Sequence, residues 1–204
     1  MKKITIKKIR ISLAVALILC VAASLTHFES ACRDLRDNVL RLHILANSDS
    51  DADQALKLKV RDAVIECGAA KLDNCDNLDE ALIVAAENKE KILETARNVI
   101  KQNGYDYSVS LEIGKEYFST RVYDEFTLPA GNYDSVIIKI GNAEGKNWWC
   151  IMYPSFCVRA ASNCDLEKAA GKDGAEIALK PQKYQIRFKI VEYYESLKKI
   201  ITKK

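Results

Sequence analysis

The sequence predicts an α+β fold: a two-layer domain with a mainly antiparallel sheet and helices packed on it, preceded by an N-terminal signal or anchor segment. Three observations carry this. Two stretches alternate strictly between apolar and polar side chains, at Val39–Ala46 and at Tyr107–Ile113, as half-buried strands do. Two longer stretches between them place apolar residues at helical spacing. Strands and helices do not alternate regularly, which argues against a wound parallel sheet.

The chain has 204 residues, 49% of them hydrophobic, enough for one buried core with a leader and a tail. Lys2, Lys3, Lys7, Lys8 and Arg10 precede fifteen apolar or small residues, Ile11–Leu25, broken only by Ser12 and Ser24. This is the charge and hydropathy order of a secretory signal, with Val21-Ala22-Ala23 available for cleavage. The run is short for a bilayer span, which takes roughly 20 residues, but Thr26–Phe28 extends it, so residues 1–30 read as a signal peptide or a signal anchor. Cys20 admits a lipoprotein reading, although Leu19 is large for the position before a lipidated cysteine. The formal net charge is +3, and the five leader cations account for all of it, leaving an acidic remainder. Nucleic-acid binding, which needs a basic folded domain, is excluded on that ground.

In Val39–Ala46, Leu40, Leu42, Ile44 and Ala46 share one face, and Arg41 and His43 the other. Asn47–Gln54 then ends the strand and opens a helix, with Ser48 or Ser50 as its cap and acids in its first turn. That helix runs to about Ala70 on a stripe of Leu56, Val60, Ala63, Val64 and Cys67. A second helix is expected from about Asp79 to Gln102, capped near Asn77 and stopped by Asn103-Gly104. Tyr107–Ile113 is the second strand, and Val122, Phe126 and Leu128 indicate a third. Pro129-Ala-Gly131 makes a tight turn into a fourth, Val136–Ile140. Asn147-Trp-Trp-Cys150 reads as a bulky aromatic corner, since two adjacent tryptophans are costly to expose together. The α+β domain is therefore drawn at 31–160. Residues 161–180, small, charged and glycine-containing, read as a surface linker. Pro181 opens a C-terminal amphipathic helix over 181–204, with a stripe of Ile186, Ile190, Tyr193, Leu197, Ile200 and Ile201. That stripe is read either as docked on the sheet, the favoured reading, or as lying on a membrane surface.

Beyond the leader lie six cysteines: Cys32, Cys67, Cys75, Cys150, Cys157 and Cys164. An even number in an exported chain permits disulfides. Cys150 and Cys157 are the best candidate pair, and Cys67 with Cys75 a weaker one. No pair has the tight spacing of a zinc site. Asp49-x-Asp51-x-Asp53 begins like a calcium loop but has Gln54 in place of the required glycine and Val60 in place of the closing glutamate. No metal or cofactor is expected. No hydrolase elbow, metalloprotease pair or phosphate loop occurs. A thiol enzyme using Cys150 and His43 is one alternative, and an envelope module binding a small molecule is another. The polar groups cluster instead on loops: Asn47, Ser48, Asp49 and Gln54 at one strand end, and Arg121, Asn132 and Asn147 near the hairpin, with Trp148 and Trp149 read either as core or as contact residues. Loops on a rigid sheet are where recognition surfaces usually sit.

Two blocks resemble a known family. The first is Leu40-Arg-Leu-His-Ile-Leu-Ala-Asn-Ser-Asp-Ser50 with Asp53–Ala63. The second comprises Phe118-Ser-Thr-Arg-x-Tyr123, Leu128-Pro-Ala-Gly-x-Tyr133, and Gly141-x-x-x-Gly-x-Asn-Trp-Trp-Cys-x-x-x-Pro-x-x-Cys157. They are similar to stage II sporulation protein R of endospore-forming bacteria, although Ser119 stands where that family often has proline. The resemblance implies a signal without catalysis, made in the forespore and exported to the space between the forespore and mother-cell membranes. There it would trigger a membrane-embedded aspartic protease to process the precursor of the mother-cell sigma factor, sigma-E. The loops Asn47–Gln54 and Asn147–Cys157 are the expected contacts with that protease.

Overall fold

The computed structural model describes residues 2–72, 74–123, 126–154 and 163–202. At its centre is a four-stranded mixed sheet ordered β2-β5-β1-β6, made of β1 (Leu40–Leu45), β2 (Val109–Phe118), β5 (Gly131–Ile140) and β6 (Asn147–Tyr153). The β2–β5 and β1–β6 pairs are antiparallel and the central β1–β5 pair is parallel. Two short strands, β3 (Arg121–Val122) and β4 (Thr127–Leu128), form a small ribbon beside it. The segment expected as an aromatic corner is thus an edge strand, β6. Its alternation sends Trp148 and Trp149 to opposite faces, so each tryptophan finds its own cover.

One face of the sheet carries Leu40, Leu42, Ile44, Val136, Ile138, Leu111, Cys150 and Met152. Over it pack α2 (Asp51–Leu72), α3 (Leu78–Glu87) and α4 (Lys89–Gln102), through Leu56, Val60, Val64, Ala85, Ile92 and Ala96. The single helix expected over 79–102 is two: Asn88 ends α3, its backbone N–H and its side chain both bonding to the Val84 carbonyl at 3.1 Å and 2.7 Å, and α4 starts at Lys89. Asn77 caps α3 by accepting the Glu80 N–H at 2.9 Å, and Gly104, at φ 82°, follows the end of α4.

The opposite face is partly covered as well. α1 (Lys2–Asp37) runs without a break from the leader into the domain, where Phe28, Ala31, Cys32 and Leu35 are buried. α5 (Asn163–Leu179) packs beside it, burying Leu166, Ala170, Ala175 and Ala178 against Leu35, Val39, Phe118, Tyr133 and Ile151. This corrects the expectation of a linker over 161–180. Alanines and the buried Gly174 let two helices approach closely, and a composition that looks like a linker is here a close-packing face. Gly171, at φ 70°, kinks α5. With cover on both sides, β1 is buried at every position but Leu45, not half-buried as its alternation implied.

Pro181–Lys183 forms a 3-10 turn that leads into α6 (Gln185–Thr202). Phe188 and Val191 of α6, with Tyr184 just before it, pack against Phe28, Ala31 and Cys32. The helix does not dock on the sheet face in the way its apolar stripe implied.

Candidate functional site

The predicted loop residues form an internal clasp. Asp53 accepts from the Asn47 amide at 2.9 Å and from the Ser48 hydroxyl at 2.5 Å. Gln54 donates to the Ser48 carbonyl at 2.9 Å and accepts from Lys57 at 2.6 Å. The Lys57 ammonium also reaches the Lys146 carbonyl at 2.8 Å. Asn47 accepts the Asn142 N–H at 3.0 Å, and Asp49 accepts the Lys146 N–H at 2.6 Å. The loop after β1 is therefore bolted to the loop between β5 and β6. Donation by Ser48 and Asn47 holds the Asp53 carboxyl below the ordinary carboxylate range. Ser50 is the residue that caps α2, accepting the Asp53 N–H at 3.2 Å. Asn47, Ser48 and Gln54 have polar groups engaged within the fold, and so does Asp49 on its way to Lys146. Among the described residues, no group of acids, histidines or cysteines is placed to hold a metal ion.

The other predicted residues meet on the second face of the sheet. Trp149 stacks on His43 with ring centroids 5.4 Å apart, and the Arg121 guanidinium lies 3.5 Å from the Trp149 centroid. His43 Nδ1 donates to Glu116 Oε2 at 2.8 Å, which turns the ring toward β2. Beneath this stack lies Arg41, fully buried, 4.0 Å over the Phe118 ring and 5.0 Å from that of Tyr133. Arg41 donates to the Tyr123 hydroxyl at 2.7 Å, and Tyr123 donates to the Trp149 carbonyl at 3.3 Å. Arg41 Nε and Nη1, His43 Nε2 and Arg121 Nε are buried without a hydrogen-bond partner. Burial lowers the Arg121 pKa from its ordinary value, since a charged guanidinium is costly away from water.

Arg41, Glu116 and Tyr123 were not singled out in the sequence as site residues. Strand alternation assigned Arg41 and His43 to a polar face and so to solvent. Nothing local tells that α1 and α5 cover half of that face.

Trp148, on the first face, lies under Arg61 at 4.3 Å. With Ile65, Tyr123 and Phe126 these two line a crevice of about 300 Å³ along the β6 edge. Asn147 is exposed at the start of β6. Cys150 sits with the first-face core and His43 with the second, so the sheet separates them and they cannot act as a thiol–imidazole pair. Cys67 and Cys75 are separate thiols. Cys157 lies outside the described residues, and the expected Cys150–Cys157 bridge with it.

The Leu-Pro-Ala-Gly-x-Tyr block also has a local explanation. Tyr133 donates to the Pro129 carbonyl at 2.6 Å and Arg36 donates to the Ala130 carbonyl at 3.1 Å, which pins the turn between α1 and the sheet. Gly131 has φ 147°, and its missing side chain leaves room for the Arg36 stem.

The family model for stage II sporulation protein R matches residues 36–163. Stage II sporulation protein R of Bacillus subtilis (strain 168) is 36% identical over 132 residues, 65% of this chain and 59% of that protein. The chain therefore matches about three-fifths of the length of that curated relative. No solved structure matches.

Proposed function

This chain belongs to the stage II sporulation protein R family, and we propose that it acts as an exported sporulation signal that switches on a membrane-embedded aspartic protease by contact. That protease would then process the precursor of the mother-cell sigma factor sigma-E. The chain itself would make and break no bond.

One observation carries the reading. The sequence blocks around Arg41–His43, Phe118–Tyr123 and Trp149 converge on a single face, where His43 and Arg121 both lie against the Trp149 ring. Aromatic and arginine side chains of this kind dominate protein recognition energetics. The clasp of Asn47, Ser48, Asp49 and Gln54 supports this surface by fixing the loops at its end, and Asn147 stands at its rim. α1 contains a stretch long and apolar enough to cross a membrane, which fits export by a signal or tethering by an anchor.

Co-expression in a non-sporulating bacterium with the protease and the sigma-factor precursor tests the proposal. Processing should require the chain, should persist with His43→Gln, and should fall about tenfold or more with Arg121→Glu, the loss expected when a central contact is reversed. A correctly exported chain that leaves the precursor uncut would reject it.

A further inference from the structure

α6 turns its apolar stripe away from the protein. Phe188, Val191 and Glu195 are buried against the domain. At about 100° per residue, Ile186, Ile190, Tyr193, Leu197 and Ile201 fall on the opposite side. Tyr193, Leu197 and Ile201 are 71%, 60% and 73% exposed. A row of exposed apolar side chains on a helix needs cover.

Three features say what covers it. First, the acids of α6 are turned inward: Glu195 is buried, and Glu192 is half-buried and paired with Lys189 at 2.8 Å. The stripe is flanked by the exposed Lys189 on one edge and Lys198 on the other, so cationic side chains border it, while Arg187 turns to the Phe28 and Tyr184 rings and Lys199 to that of Tyr117. Second, α6 crosses α1 where the apolar run of that helix ends. Ile190 and Tyr194 line a crevice of about 410 Å³ together with Leu25 and Thr26. Third, the sides of α6 are assigned. Ser196 meets the Tyr117 hydroxyl at 3.3 Å and Lys199 lies 4.5 Å over the Tyr117 ring, on the side of the sheet, while Ile190 and Tyr194 lie on the side of Leu25.

We propose that α6 lies in the headgroup layer of an anionic lipid bilayer, beside the point where α1 enters it, with Ile190, Tyr193, Leu197 and Ile201 immersed. An apolar face bordered by long cationic side chains is the design of interfacial helices, whose lysines reach back to lipid phosphates. The proposal rests on α1 meeting the bilayer. α6 then fixes the tilt and height of the domain above the membrane, and holds it there if the leader is cut.

The test uses the full chain reconstituted in vesicles of phosphatidylcholine with one part in three phosphatidylglycerol, footprinted with hydroxyl radicals and read by mass spectrometry. Tyr193, Leu197 and Ile201 should be modified about fivefold less than the comparably exposed Ile83 and Val122, because an interfacial helix buries its apolar face below the headgroups. Leu197→Glu with Ile190→Glu, both at exposed positions, should leave circular dichroism unchanged and return Tyr193 to the level of Val122. Equal modification of Tyr193, Leu197 and Val122 in the unaltered chain would overturn the proposal. Protection that grows with the number of chains per vesicle would overturn it in favour of a second copy as the cover. Leu13 and Leu17 report on the premise separately: if they label as freely as Val122, α1 is outside the bilayer, whatever α6 does.

Discussion

The Arg121 guanidinium lies 3.5 Å from the ring centroid of Trp149, and the two side chains come from the small ribbon and from the edge of the main sheet. A cation over an indole is worth about 0.5–2 kcal/mol, more as water is excluded. Arg121→Ala should therefore lower stability by only about 1 kcal/mol, read as a small loss in the thermal midpoint, yet reduce sigma-factor processing severely. A variant as active as the parent would move the contact surface elsewhere.

His43 separates a ligand from an enzyme. Glutamine can keep a hydrogen bond to Glu116 and fill most of the space under Trp149, so His43→Gln should retain processing and nearly all stability. Alanine leaves a void under the indole and should cost on the order of 2 kcal/mol, visible as a shifted tryptophan emission and a lower midpoint. Loss of signalling by His43→Gln in a folded protein would restore an imidazole-dependent mechanism.

The clasp makes a pH prediction. The Asp53 carboxyl is held below its ordinary pKa mainly by the Ser48 hydroxyl and then by Asn47. A depressed folded-state pKa stabilises above the unfolded value and loses that contribution as the pH falls through the folded one. Asp53→Asn should thus lower the thermal midpoint at neutral pH. The gap to the unaltered chain should close as the solution is acidified below the ordinary carboxylate range. A gap independent of pH would mean that shape, and not charge, makes the clasp.

The two loops of the clasp meet so closely that a side chain at Gly145 would run into the Ser48 carbonyl oxygen, which is backbone and cannot swing aside. Gly145→Ala should cost about 1–3 kcal/mol through this overpacking. Gly114, where a side chain would meet open space, is the control and should tolerate alanine far better. Equal losses at the two positions would show that chain flexibility, and not contact, sets the cost.

The α+β class, the strand containing Val109–Ile113, the Asn77 cap and the turn at Pro129–Gly131 were legible because each follows from short-range periodicity or backbone preference. The burial of Arg41 was not. Its neighbours Phe118, Tyr133 and Tyr123 lie between 77 and 92 residues away by number, and only the closed fold makes a polar strand position an interior one. The loop residues Asn47–Gln54 were correctly seen as a dense polar cluster, but a sequence cannot say whether such groups face a partner or each other. β6 was misread as a corner because two bulky aromatics in succession look like a single apolar lump, although a strand sends them to opposite sides.

α5 gives the sharpest test of the fold. A linker over 161–180 would tolerate charge anywhere, whereas a packed helix tolerates it on one side only. Ala178 is fully buried in the cluster with Leu35, Leu166 and Ala175, while Lys172 is exposed on the same helix. Ala178→Asp places an unpaired carboxylate in that cluster and should cost at least about 3 kcal/mol. For a chain of this length such a loss lowers the midpoint by roughly 6–12 °C. Lys172→Asp should change it little. The two are compared by far-UV circular dichroism in the same detergent, so that α1 contributes equally to both. Matching midpoints would return this segment to the role of a tether and remove the support that α5 gives to α1, Tyr133 and the covered half of the sheet.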